Sequence, residues 1–139
     1  MRERGSSLVE FALTAPLLLL LMAGVLNYGI ALRTAVAVSD AARAGAQYGS
    51  MAPENAADIA GMQAAARNAA PTLTDIAASA VRSCKCANGS AVSCTGTCST
   101  GSMLTYVQVT TSATAPNWFQ YTGLSFTGAV SSTAVMRAQ

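Results

Sequence analysis

The sequence contains no histidine among its 139 residues. Histidine is the side chain most often used as a general base near neutral pH, and it is a common ligand of zinc and copper. Its absence excludes catalytic triads and histidine-bearing metal sites, so catalysis would need a carboxylate pair or a thiol. The candidate carboxylates Glu54, Asp58 and Asp75 fit a solvated helix face and a turn. We therefore expect no enzyme, no metal and no cofactor.

Charged residues are scarce, at 10% of the chain, with 8 Lys and Arg against 6 Asp and Glu. Soluble domains usually carry about 25% charged residues. The low fraction, together with a mean hydropathy of +0.39, favours a membrane-associated or exported protein over a cytosolic enzyme. The net charge of +2 is small and the basic residues are scattered, so we expect no nucleic-acid partner.

An uncharged apolar run of 22 residues extends from Phe11 to Leu32. As a helix rising about 1.5 Å per residue, it is long enough to cross a lipid bilayer. The short flank with Arg2 and Arg4 should stay in the cytoplasm, and the longer C-terminal portion should be exported. The pattern predicts a single-pass protein, N-in and C-out, with its span in contact with membrane lipid.

A secretory signal peptide is the competing interpretation, because the small residues of Ala35-Val36-Ala37 could form a signal-peptidase cleavage site. Three features count against it: the run exceeds the usual length of about 7–15 residues, Arg33 separates it from that site, and Glu10 lies at its threshold. This alternative predicts a secreted, disulfide-stapled binding domain that begins near Val38 and whose function does not depend on Glu10.

Glu10 is a carboxylate at the edge of a membrane helix, where it either reaches the headgroups beside Arg4 or pairs with a partner. Its spacing from Gly5 indicates a partner. If the chain is cut after Gly5, Glu10 becomes the fifth residue of the product, and the new α-amine of Ser6 lies about one helical turn away. The same amine on a neighbouring subunit could then neutralise Glu10.

These residues resemble type IV prepilins, whose leader peptidase cuts after a glycine that precedes a hydrophobic helix with Glu at the fifth mature position. The closer resemblance is to TadE-like pseudopilins of the tight-adherence (Tad) pilus system. Gly5 is followed by Val9–Leu13 (Val-Glu-Phe-Ala-Leu), by Pro16 and by a leucine run. The segment 41–49 and the ending 134–137 also resemble that family.

The resemblance implies a structural subunit or an assembly-initiating minor pilin of a type IV-like pilus. It implies cleavage by a prepilin peptidase between Gly5 and Ser6, and subunit-assembly roles for Glu10, Phe11 and Pro16. The implied partners are other pilin subunits and the inner-membrane assembly machinery. The implied location is the inner membrane before assembly and an extracellular pilus afterwards.

The predicted organisation is a leader over 1–5, a long helix over 6–50 and an exported domain over 51–139. The helix should run from about Ser7 to Gly49, because the segment that follows the apolar run is rich in alanine. Pro16 should kink or locally melt it, or be tolerated as a membrane proline. Small residues would allow helices to approach closely in lipid: Ala12, Ala15, Ala23, Gly24, Gly29, Ala31 and Ala35.

The exported portion reads as an α+β domain. We expect a second helix from Asn55 to Ala70 that covers a sheet with Ile59, Met62, Ala66 and Ala69. Three antiparallel strands are expected over 76–86, 103–114 and 128–137. The aromatic strip 117–121 should fill the small core or pack as a loop on the sheet, rather than form a binding patch.

The four cysteines lie close together in the sequence, at Cys84, Cys86, Cys94 and Cys98. An even number in a short exported domain predicts two disulfides, and the spacing lacks the paired motifs of a zinc site. A bond between Cys84 and Cys86 would be strained, which leaves two cross-loop connectivities open. Of these we favour the nested one, Cys84 with Cys98 and Cys86 with Cys94. The 51 uncharged residues between Lys85 and Arg137 favour packing against copies or partners.

Overall fold

The structure, a computed structural model, describes residues 4–99, 101–116 and 128–138, with side chains from residue 8 onward. Within these ranges the chain forms helices and strands in the following order: α1 (Arg4–Ser50), α2 (Pro53–Ala57), α3 (Ile59–Asn68), β1 (Ala77–Cys86), β2 (Ala91–Val92), β3 (Met103–Thr114) and β4 (Ala129–Arg137). The aromatic strip at 117–121 lies outside the described residues.

The long helix α1 has 47 residues and begins and ends within a few residues of the predicted bounds. Its alanine-rich second half favours helix, since alanine has the highest helix propensity. Pro16 lies inside α1, and the helix continues through it without interruption. The proline therefore does not divide the element into two helices.

The predicted second helix is divided into two, α2 and α3, and Asp58 is the reason. This residue leaves helical geometry, at φ −86° and ψ 80°, and its side chain accepts a hydrogen bond from the Gly61 amide at 2.8 Å. Aspartate is much better as an N-cap than inside a helix, so it ends one helix and begins the next. On α3, Met62 and Ala66 are buried as expected and Ile59 is half-buried. Beyond the end of α3, Ala69 is exposed and Ala70 is buried in its place.

The sheet is antiparallel and has the strand order β2-β1-β3-β4. Strands β1, β3 and β4 confirm the three predicted strands to within about one residue, and β2 is an additional strand of two residues. The α+β fold with a long N-terminal helix is therefore confirmed. One face of the sheet packs on α1 and α3, where Val107, Val109 and Thr111 of the central strand are fully buried.

Close packing between α1 and the domain depends on small residues in the second half of the helix. A Cβ atom at Gly45 would lie 2.8 Å from the Met62 carbonyl oxygen of α3 and 3.0 Å from Val109 Cγ1 of β3. Ala41, Ala42 and Ala46 are also fully buried. The helix backbone can therefore approach both α3 and the sheet more closely than larger residues would allow.

Candidate functional site

The two halves of α1 have different surroundings. Large apolar side chains before Thr34 are exposed: Leu13 is 75% exposed and Leu21 is 58% exposed. From Thr34 onward one side of the helix is buried against the domain. An exposed apolar surface of this length is abnormal for a protein in water and marks a membrane or protein contact.

The length and composition of α1 suit a membrane span. It is the one helix of the described chain that is long and apolar enough to cross a bilayer, and only 6% of its most apolar window is buried in the protein. The core helix of a soluble protein would be mostly buried. The expectation of a transmembrane-capable N-terminal helix is thus supported by both sequence and packing.

The predicted assembly residues lie on the exposed half of α1. Glu10 and Phe11 are both exposed, at the N-terminal end of the apolar surface, and Pro16 follows within the same helix. The Glu10 carbonyl oxygen accepts a hydrogen bond from the Thr14 hydroxyl at 3.0 Å. The Glu10 carboxylate thus stands where the charged N-terminal segment meets the apolar run.

The predicted cleavage position also belongs to α1. The backbone of Gly5 and Ser6 is part of the helix, and Ser6 precedes Glu10 by four residues. Residues separated by four lie on the same face of a helix, one turn apart. An amine created at Ser6 would therefore share a face with the Glu10 carboxylate.

The disulfides join Cys84 to Cys94 and Cys86 to Cys98. Two disulfides are confirmed, but the nested pairing of Cys84 with Cys98 and Cys86 with Cys94 is wrong. The short strand β2 explains the difference, because it pairs Val92 with Cys84 and so brings Cys94 beside Cys84. A turn from Ser93 to Gly96 then reverses the chain, and Cys98 meets Cys86.

The hairpin between β1 and β2 had a signal in the sequence. Asn88-Gly89 is a preferred hairpin dipeptide, and Gly89 has a φ of +86° that few other residues adopt readily. Placing a turn there would have predicted β2, and with it the observed pairing. The four cysteine sulfurs are bonded in two pairs, so none is a thiolate ligand for zinc.

Comparison with known proteins bears on α1 alone. Residues 5–47, about a third of the chain, match the TadE-like protein family. This part of the chain is TadE-like. No curated protein and no solved structure matches the chain. The predicted resemblance to this family is confirmed over residues 5–47, and the match contains all the predicted cleavage and assembly residues.

The TadE-like segment ends three residues before α1 does. The sheet, the smaller helices and the disulfides lie beyond it, so the resemblance of the ending 134–137 to a closing strand stays a prediction. The TadE-like segment includes both the exposed apolar half of α1 and most of the half that packs on the domain.

Two of the three candidate catalytic carboxylates have structural contacts outside the TadE-like segment. Asp58 caps α3 and accepts a hydrogen bond from the Tyr48 hydroxyl of α1 at 3.0 Å. This bond, followed by the charge of Asp58, raises the pKa of Tyr48 above its ordinary value. Both contacts fix the connection between α1 and α3.

Asp75 holds the loop before β1 to the end of β3. Its carboxylate accepts a hydrogen bond from the Thr114 amide at 2.9 Å, which lowers the pKa of Asp75. Glu54 is exposed in the first turn of α2. Asp58 and Asp75 therefore act as hydrogen-bond acceptors in separate places, rather than as a catalytic pair.

Sequence reasoning missed a cavity of about 400 Å³ at the end of the sheet nearest α2. Its described lining includes the Cys84–Cys94 disulfide and two arginines: Pro53, Arg82, Cys84, Cys94, Met103, Leu104, Thr105, Arg137 and Ala138. The arginines lie 55 residues apart in the sequence and reach the same end of the sheet because β1 and β4 flank β3, although the strand register puts them on opposite faces. No sequence motif would have associated them.

Proposed function

We propose that the protein is a structural subunit or an assembly-initiating minor pilin of a type IV-like Tad pilus. The match of residues 5–47 to the TadE-like family carries this proposal. In it, residues 1–5 are a cytoplasmic leader that a prepilin peptidase removes between Gly5 and Ser6. Before assembly the subunit spans the inner membrane, N-in and C-out. The inner-membrane assembly machinery then incorporates it, with other pilin subunits, into an extracellular pilus.

The exposed half of α1 supports a membrane-held precursor. Its leucines are exposed in the described chain, and hydrocarbon is the environment that such a surface prefers. After assembly, α1 helices of neighbouring subunits would replace lipid around the same side chains. Phe11 would belong to that contact, and Pro16 would allow the helix to adjust within it.

Glu10 supplies the specificity of this contact. An isolated carboxylate carried to the bilayer centre costs about 2.5–3.5 kcal/mol, so it favours positions where an opposite charge meets it. The α-amine of Ser6 on a neighbouring subunit is that charge. Uncleaved chains lack this amine, so cleavage precedes stable assembly.

The disulfides support an exported domain. Bonds such as Cys84–Cys94 and Cys86–Cys98 form and persist in oxidising compartments and are rare in the cytoplasm. A signal-peptide cut near Val38 fits the packing less well, because α1 continues through this point. Val38 is fully buried, and its carbonyl accepts a hydrogen bond from Thr111.

The proposal is tested first by the mature N-terminus, measured by mass spectrometry on protein from cells that contain a prepilin peptidase. We expect a chain that starts at Ser6. A start near Val38 would instead support a secreted binding domain, and would contradict both the leader and the membrane assembly.

The role of the carboxylate is tested by Glu10→Gln, followed in membrane and sheared-pilus fractions. Membrane insertion should be unchanged, and incorporation should fall by about tenfold or more, since breaking a buried ion pair costs about 3–5 kcal/mol. Glu54→Gln is the matched control, because it removes an exposed carboxylate outside α1. Normal incorporation of Glu10→Gln would show that assembly does not use this charge.

A further inference from the structure

The four-stranded sheet has an edge on each side that no described strand covers. Its order, β2-β1-β3-β4, places β4 at one edge. At the other edge, β2 pairs with β1 only at Cys84 and Lys85, so residues 77–83 of β1 have no neighbouring strand on that side among the described residues. Unpaired strand edges present rows of backbone donors and acceptors that readily pair with another strand.

The hydrogen bonds at the two ends of β4 show which of its backbone groups face the open edge. The Gly128 carbonyl accepts from the Ala115 amide at 3.3 Å, and the Ala138 amide donates to the Thr105 carbonyl at 2.9 Å. Residues that bond across an antiparallel pair alternate with residues that do not, so the even-numbered residues of β4 bond to β3. The odd-numbered residues direct their amides and carbonyls away from the sheet: Ala129, Ser131, Thr133, Val135 and Arg137.

The same alternation locates the free backbone groups of β1. The Cys86 amide donates to the Ser90 carbonyl at 2.9 Å, on the side of β2, so the even-numbered residues of β1 face away from β3. Pairing with β2 begins at Cys84. Three even-numbered residues before it have outward amides and carbonyls without a strand partner in the described chain: Ala78, Ala80 and Arg82.

Strand β4 lacks the features that usually prevent edge-to-edge pairing. Natural edge strands are protected by proline, by charged side chains or by a bulge. β4 has no proline, its register with β3 is continuous over its nine residues, and its one charge is Arg137 at its end. The exposed side chains before Arg137 are small or β-branched, and several of them suit a strand inside a sheet. This edge is therefore open to another strand.

The direction of α1 decides which edge a neighbouring copy can offer. Gly45 lies beside Val109 and Gly49 lies beside Val107, so α1 runs antiparallel to β3 and in the same direction as β1 and β4. An antiparallel pair of β4 strands from two copies would point their α1 helices in opposite directions, which a shared N-in, C-out orientation does not allow. β4 of one copy and β1 of the next run in the same direction.

We propose that copies of this chain join edge to edge, with β4 of one copy adding as a parallel strand beside β1 of its neighbour. The proposal rests on the proposed membrane orientation, and it adds a contact between exported domains to the contact between α1 helices. β2 limits the register, because the incoming strand must end before Cys84, where β2 occupies the edge. Such a head-to-tail contact leaves one free edge at each end, so further copies can add.

The first test measures hydrogen exchange at single amides of the full chain in lipid nanodiscs that hold either one copy or several. The outward amides of both edges, such as those of Thr133 and Ala78, should exchange about tenfold or more slowly when several copies share a disc. The Ala134 amide, which belongs to the β3 side, should not change. Protection of only one edge, or of neither, would overturn the proposal. The result does not depend on cleavage after Gly5 or on Glu10, so it is separate from the tests of the proposed function.

Proline variants test whether the contact is head-to-tail, with the same measurement of exchange. Thr133→Pro removes an outward amide of β4 and leaves the bonds to β3, and Ala78→Pro does the same on β1. Neither variant alone should gain protection at its intact edge. An equal mixture should gain protection on β1 of the first variant and on β4 of the second, because only that contact is restored. Protection of β4 in the Ala78→Pro variant alone would indicate β4–β4 pairing and would overturn the proposal.

The matched control is Thr133→Ala, which loses the same hydroxyl contact with Thr110 as Thr133→Pro but keeps the amide. It should gain protection as the wild type does, and loss of protection equal to that of Thr133→Pro would overturn the proposal. The fold of each variant is checked by the slow exchange of Ala134 in discs with one copy. If Thr133→Pro loses it, Ser131→Lys replaces that variant with the same expected result, because Ser131 is exposed and lysine on an edge strand opposes pairing.

Discussion

Replacing Gly45 by alanine should destabilise the exported domain, although alanine is the better helix former. The added Cβ would lie 2.8 Å from the Met62 carbonyl oxygen, 3.0 Å from Val109 Cγ1 and 3.1 Å from Ala66 Cβ. The closest of these atoms is backbone inside α3, so it cannot move without displacing that helix. The substitution therefore separates α1 from both layers that pack on it.

The magnitude follows from two opposing contributions. Overpacking a well-packed core costs about 1–3 kcal/mol. Replacing glycine by alanine within a helix returns about 0.5–1 kcal/mol. The expected net loss is about 1–2 kcal/mol, and about 1 kcal/mol lowers the melting temperature of a domain of 60–100 residues by about 4–8 °C.

The assay is differential scanning calorimetry of the full chain in detergent, with Gly24→Ala as the matched control. Gly24 lies in the same helix, but a Cβ placed there would meet no atom of the described residues within 4 Å, apart from its chain neighbours and the backbone of its own helix. Gly45→Ala should melt about 5–10 °C below the wild type, whereas Gly24→Ala should not melt lower. If both variants melt at or above the wild-type temperature, close approach at Gly45 does not limit stability and the packing argument is refuted.

Two further predictions concern single hydrogen bonds. The buried Thr111 hydroxyl donates to the Val38 carbonyl of α1 at 2.7 Å, so Thr111→Val should cost about 1 kcal/mol in urea unfolding. Thr133→Val should cost much less, because its hydrogen bond with the Thr110 hydroxyl is exposed and water can replace the lost partner, and an equal loss for both would contradict this assignment. Folding lowers the pKa of Asp75, so its ionised carboxylate stabilises the fold at pH values above its unfolded pKa of about 3.9. This stabilisation is lost as the pH falls through the folded pKa. The melting temperature should therefore fall more steeply between about pH 5 and pH 2 for the wild type than for Asp75→Asn, and parallel curves would exclude a contribution from Asp75.

The elements that sequence predicted well are those governed by local patterns. Uninterrupted apolar and alanine-rich stretches predicted α1, and β-branched alternation predicted β3 with its observed bounds. The division at Asp58 was missed because an aspartate within a helical pattern can be either a surface residue or a cap. Its contact with Tyr48, which favours the cap, joins residues from different elements.

The parts that sequence did not predict depend on which strands are neighbours. The crossed disulfides follow from the pairing of Cys84 with Val92, and the cavity follows from the position of β3 between β1 and β4. Periodicity identifies strands but does not order them within a sheet. The candidate cleavage and assembly residues on α1 could be proposed from sequence because they lie within one continuous helix.

The boundaries of the family match have a physical meaning when they are placed on α1. The match includes the exposed apolar half of the helix and continues through Gly45 to residue 47, where small residues face α3 and the sheet. A groove of alanine and glycine restricts how closely a partner layer may approach, but it requires few specific side chains from that layer. The contact continues just beyond the match, because a Cβ atom at Gly49 would still meet Met62 of α3 and Val107 of β3, so the match ends within the packed half of α1.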